Sequence, residues 1–189
     1  MNATRIRSLL TLAIVPVAVL TATPAQATEP YCGITWGSRA EAGGSSTADV
    51  GALTELRAGR HACFDRLVVD LGHGADADVQ WRVGYVPTVR EVGTGDPLPL
   101  RGAADLEIVV TAHGHDGQGN ATFDPPVDAA AEDVAGFTTF RQVSWGHSFE
   151  AQSVIGLGVR ARLPFRVHTL EGGGPGDSAR LVIDVAHRW

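Results

Sequence analysis

Two near-identical hexapeptides constrain what this 189-residue chain can fold into. Arg66-Leu67-Val68-Val69-Asp70-Leu71 returns as Arg180-Leu181-Val182-Ile183-Asp184-Val185. Each copy is followed two residues later by a histidine, His73 or His187. Aliphatic residues in alternation with charged ones read as a half-buried β-strand. Leu67, Val69 and Leu71 share one face, as do Leu181, Ile183 and Val185. The Arg and Asp of each copy fall on the opposite face. A unit that opens and closes on the same strand is expected to be one β domain.

The same period-2 pattern recurs between the copies. Val79, Trp81, Val83 and Tyr85 oppose Gln80 and Arg82, and Leu106, Ile108, Val110 and Ala112 oppose Asp105, Glu107 and Thr111. The longest run sets Val159, Ala161, Leu163, Phe165 and Val167 against Arg160, Arg162, Arg166 and His168. Pro164 inside that run predicts an edge strand or a bulge. Gly93–Pro99, Gly114–Pro126 and Gly172–Gly176 read as loops. One apolar and one polar face per strand is what a two-layer antiparallel β-sandwich requires. Residues 28–59 lack this periodicity. They are read as an N-terminal extension, with a short helical piece around Val50–Arg57, ahead of a sandwich domain over 60–189.

The first 27 residues read as an export signal. Arg5 and Arg7 precede an apolar stretch from Leu9 to Leu20, and Ala25-Gln26-Ala27 supplies a small-x-small cleavage site. A retained anchor is the alternative, although the stretch is short for a membrane span. Removing Arg5 and Arg7 leaves 13 basic against 21 acidic residues, a net charge of −8. That balance argues against nucleic acid as a partner. Cys32 and Cys63 are an even pair in an exported chain and are expected to form a disulfide. Such a bridge would stabilise the fold by roughly 3–4 kcal/mol in the chain-entropy description. Two free thiols is the alternative.

Motifs with catalytic precedent do not complete themselves. Gly146-His147-Ser148-Phe149-Glu150 lacks the second glycine of a nucleophile elbow, and no helix pattern follows it. Gly156-Leu157-Gly158-Val159-Arg160-Ala161 fits a loose dinucleotide pattern but leads into alternation and Pro164, where that chemistry needs a helix N-terminus. The two glycines are read as a strand bend. His113, His115 and Asp116 give His-x-His spacing without the continuation of a hydrolytic zinc site, so a dispersed His/Asp/Ser148 hydrolase site is kept as an alternative. Asn120-Ala121-Thr122 is a glycosylation sequon in a loop.

The guanidinium stripe of Arg160, Arg162 and Arg166, with His168, is the candidate binding face. Three forked donors on one strand suit the carboxylates or phosphates of an anionic polymer. Cross-strand pairing with Asp70, Asp184, Asp105 or Glu107 is the competing reading. Trp36, Trp145 and Trp189 lie outside the clear alternation; they are candidate sugar platforms or packing residues.

The two hexapeptides, together with Cys32-Gly33-Ile34-Thr35-Trp36-Gly37-Ser38, Cys63-Phe64-Asp65, Phe149-Glu150-Ala151-Gln152-Ser153, Gly156 to Val167 and the closing strand to Trp189, resemble the AMIN-like domains of secreted bacterial envelope proteins. These are related to the amidase N-terminal (AMIN) modules. The resemblance spans residues 31–189. It implies a β-sandwich without catalytic activity or cofactor, exported and associated with the cell envelope. Its partner would be a cell-wall polymer such as peptidoglycan, or another envelope protein. No amidase or secretin segment follows in this sequence, so any cargo is expected to be a separate protein. The resemblance carries over no functional residue.

Overall fold

A computed structural model describes residues 29–45, 51–72, 78–126, 130–171 and 178–189. The expected export signal over 1–27, His73 and Gly172–Gly176 lie outside the described residues. After a 3-10 turn at Tyr31–Gly33 come nine strands: β1 Glu41–Gly43, β2 Leu53–Arg60, β3 Phe64–Leu71, β4 Trp81–Val86, β5 Ala104–Thr111, β6 Phe140–Phe149, β7 Gln152–Val159, β8 Phe165–Leu170 and β9 Arg180–Ala186. They form two antiparallel sheets, ordered β1-β4-β5-β7-β6 and β2-β3-β9-β8, packed as a sandwich.

The repeated hexapeptides are β3 and β9, and they pair with each other. Their register sets Leu67 opposite Ile183 and Val69 opposite Leu181. Because the pairing is antiparallel, the Arg of each copy faces the Asp of the other: Arg66 opposite Asp184, and Arg180 opposite Asp70. Leu67, Val69, Leu71, Leu181, Ile183 and Val185 are fully buried, as the alternation predicts. They pack against Leu106, Ile108, Val110, Ile155 and Leu157 of the other sheet, which are equally buried. Fully burying each such side chain stabilises the fold by about 1.5–3 kcal/mol.

Three expectations are corrected. The described part of the proposed helical piece is a strand, β2. Its Leu53 and Leu56 mimic helical spacing because a bulge falls between Leu53 and Glu55: Leu53 pairs with Leu71 and Glu55 with Asp70. The extra residue returns both leucines to the core face, where they are 0% and 1% exposed. β2 therefore runs across the expected 59/60 boundary. Second, the run from Val159 to Val167 is two strands in different sheets. The chain leaves the five-stranded sheet at Val159 and enters the four-stranded sheet at Phe165 as its edge strand β8. Alternation persists through the crossover because the core still lies on one side of it: Val159, Leu163 and Phe165 are all buried. Pro164, which has no N–H to donate, sits directly before the edge strand.

Third, Gly156 and Gly158 belong to a regular strand, not a bend. A Cβ on Gly158 would sit 2.1 Å from the Arg101 carbonyl oxygen, and one on Gly156 would press on Leu100 and Leu98. Their absent side chains let the 98–103 segment lie on the outer face of β7. Val89 and Leu98 form a second small apolar cluster there with Val154.

Candidate functional site

The outer face of the four-stranded sheet answers the question posed by the arginine stripe. Asp184 is fully buried, yet it lies on the face away from the core. Arg66 grips it through Nε and Nη2 at 2.6 and 2.9 Å. Arg166 reaches the same carboxylate at 2.9 Å through Nε and 2.8 Å through Nη2. Burial pushes the Asp184 carboxyl up, but the hydrogen bonds and charges of the two arginines outweigh it and hold it below the ordinary carboxylate range. Asp70 makes a similar bidentate pair with Arg57, at 2.7 and 2.8 Å. Both aspartates of the repeat thus neutralise an arginine. His168 is half-buried next to this cluster; burial, with the nearby Arg166 and Arg66 charges, lowers its pKa despite the opposing pull of Asp184.

Arg160 and Arg162 are separated from that pair. Both sit on the β7–β8 crossover. This segment is pinned by Tyr85, whose hydroxyl donates to the Leu163 carbonyl at 2.8 Å and accepts from the Leu163 N–H at 3.0 Å. Arg160 donates through Nη2 to the His187 carbonyl. Arg162 donates to the Ser38 carbonyl at 3.3 Å and lies 4.8 Å over the Tyr85 ring. The residues next to those two acceptors are Arg188 and Arg39. All four arginines are exposed, and among the described residues none of them makes an ion pair. The predicted single strand face therefore resolves into a neutralised pair on β8 and a free cationic corner at the end of the sandwich.

The N-terminal extension builds the other half of that corner. Cys32 and Cys63 form the expected disulfide, with Cα atoms 6.4 Å apart. It ties the 3-10 turn to the start of β3. Trp36 donates its indole N–H to the Tyr31 carbonyl at 2.9 Å, and Arg166 lies 5.6 Å over its ring. The extension then runs along the β8 edge, where Gly37 pairs with Phe165 and Glu41 accepts the Val167 N–H at 3.2 Å. The three tryptophans separate accordingly. Trp145 is a core residue at 1% exposure, Trp36 is half-buried, and Trp189 is 72% exposed. Sequence reasoning missed Tyr31, Arg39 and Arg188; their closeness to Cys32 and to the final strand was the available signal.

The hydrolase alternative finds its residues engaged elsewhere. Gly146-His147 is a bulge in β6, with His147 at φ 69°. The bulge presents the Ser148 hydroxyl to the Gly114 N–H, from which it accepts at 2.9 Å. Asp116 accepts from the backbone N–H groups of Gln118 and Asn120 and from the Asn120 amide, which hold its carboxyl below the usual range. His113 and His115 face each other with ring centroids 4.8 Å apart. Among the described residues no three His, Cys, Asp or Glu side chains are grouped to hold a metal. The buried Asp65 is structural: it accepts from the backbone N–H groups of Thr139 and Phe140 and meets His187 Nε2 at 3.1 Å, fastening β6 to β3.

A search of curated proteins and a search of solved structures each return no match. The profile of the AMIN-like domain matches residues 51–187, which hold every described strand except β1. The chain therefore belongs to the AMIN-like domain family.

Proposed function

We propose that this protein is an exported, non-catalytic module that binds an anionic cell-wall polymer such as peptidoglycan. AMIN-like domains are envelope-associated binding modules. Among the described residues, no helix is long and apolar enough to cross a membrane. The observation that carries the reading is the cationic corner. Arg160 and Arg162, flanked by Arg39 and Arg188, make no ion pair among the described residues of a protein rich in acidic residues. Arg166 supports the corner from behind, held by Asp184 and backing Trp36, and His168 lies beside that ion pair.

Sedimentation with purified cell wall tests the reading. The protein co-sediments at low salt and less at high salt, because exposed charges are screened. The double substitution Arg160→Gln, Arg162→Gln weakens retention, while Arg101→Gln, elsewhere on the surface, does not. Failure to sediment at any salt refutes polymer binding.

A further inference from the structure

An open groove of about 490 Å³ lies between the extension and the C-terminal end of the last strand, within the roughly 300–1,000 Å³ typical of small-ligand sites. Tyr31, Ile34, Trp36, Pro164 and Trp189 form its apolar lining, and Arg39 lies at its border. Pro164 apart, these residues fall outside the matched stretch 51–187.

We infer that this groove is a saccharide subsite that stacks a carboxylate-bearing sugar ring against Trp189 and Trp36, with its acid group on Arg39 and Arg188. The inference rests on the polymer-binding reading above and gives it a ligand class. Three observations select this occupant. The lining is preorganised: the Trp36 N–H is already satisfied by Tyr31, its ring is backed by Arg166, and the Tyr31 ring is covered by the Arg188 guanidinium at 4.6 Å. Trp189 is left with most of its indole surface in water, the largest such exposure among the described hydrophobic residues. No side-chain carboxylate lies in the lining; Arg39 borders it and Arg188 covers its Tyr31 ring, and among the described residues neither arginine makes an ion pair. A pyranose ring is itself amphipathic, with C–H faces for aromatic stacking and an equatorial acid for a guanidinium fork. A proline-rich peptide would use the aromatic walls but not the cations.

The test titrates the purified protein, followed by tryptophan fluorescence and calorimetry, with four probes: an oligouronate, its carboxyl-reduced neutral counterpart, peptide-free wall glycan strands and a polyproline peptide. The acidic sugars are expected to bind and shift the emission. Trp189→Ala lowers their affinity about tenfold, and this exposed position leaves the core untouched. The pair Arg39→Gln, Arg188→Gln lowers acidic-sugar affinity about tenfold and changes neutral-sugar binding little. Preference between oligouronate and wall glycan identifies which acidic sugar is taken. Equal binding of neutral and acidic sugars, unchanged affinity in Trp189→Ala, or binding of polyproline alone overturns the inference. If the protein sediments with wall but none of the sugars titrates, this subsite falls and the polymer reading stands. If an acidic sugar titrates without wall sedimentation, the reverse holds.

Discussion

The Arg66–Asp184–Arg166 cluster makes the sharpest test of how the sheet is held together. Asp184 is fully buried, whereas the two arginine side chains keep 26% and 35% of their exposure. Removing one arginine leaves the carboxylate a charged partner: Arg66 engages both oxygens, whereas Arg166 reaches Oδ2 alone. Arg66→Met and Arg166→Met keep the aliphatic stems over Phe64 and Trp36, so each single change should cost about 1.5 kcal/mol, the scale of a charged hydrogen bond. Removing both strands a charge inside the protein, at about 3–5 kcal/mol. The double variant should therefore exceed the sum of the singles, about 3 kcal/mol, by up to about 2 kcal/mol. Adding Asp184→Val to the double variant should recover most of the loss, since an apolar replacement of the whole cluster leaves nothing unpaired. Urea unfolding followed by the buried Trp145 is the assay; guanidinium would screen the effect. The pH dependence gives an independent sign. The folded pKa of Asp184 lies below its ordinary 3.8. Wild-type stability from this group is complete above that value and is lost as pH falls through the folded pKa. In the Arg66→Met, Arg166→Met variant burial acts alone, the pKa rises, and stability instead falls as pH climbs above the ordinary value. Additive singles, or an unchanged pH profile in the double variant, refute the argument.

Two smaller effects should also be measurable. The β6–β7 hairpin turns through Glu150 and Ala151 at φ 48° and 62°, both left-handed and neither glycine nor asparagine; replacing the pair by Asn-Gly should raise stability by about 1 kcal/mol in urea titrations. Glu41 is pushed above its ordinary 4.5 by burial, partly offset by the Val167 N–H. Its charged form is thus unfavourable in the folded state: the stability it contributes is greatest below that value and declines as pH rises through the folded pKa. Glu41→Gln, which keeps the acceptor, should stabilise at pH 7 by less than about 1 kcal/mol, with the gain vanishing below the ordinary carboxyl pKa. A loss at pH 7 would contradict this.

What was legible in the sequence was the part governed by local periodicity. The core faces of Leu67, Val69, Leu71, Leu181, Ile183 and Val185 are set by alternation within six residues, and the disulfide by having only two cysteines to join. The aspartates as neutralisers followed from the same faces, whereas the pairing of the two copies with each other did not. What was not legible depended on irregularity. A bulge in β2 disguised a strand as helical spacing, and alternation that outlived its strand concealed the crossing between sheets. The corner of Arg39, Arg160, Arg162 and Arg188 with Tyr31 and Trp189 joins segments more than a hundred residues apart. No local pattern announces such a meeting.

The pairing of β3 with β9 also bears on assembly. Each hexapeptide is complementary to itself when run antiparallel, since Arg at one end then faces Asp at the other. A chain being synthesised exposes its first copy before the second has been made. During that interval the same sequence on a neighbouring molecule satisfies every requirement of the missing strand: hydrophobic face, register and charge. Intermolecular exchange of these strands is therefore the misassembly this chain must outrun. Refolding at high protein concentration should yield swapped dimers joined through the very segment that closes the monomer.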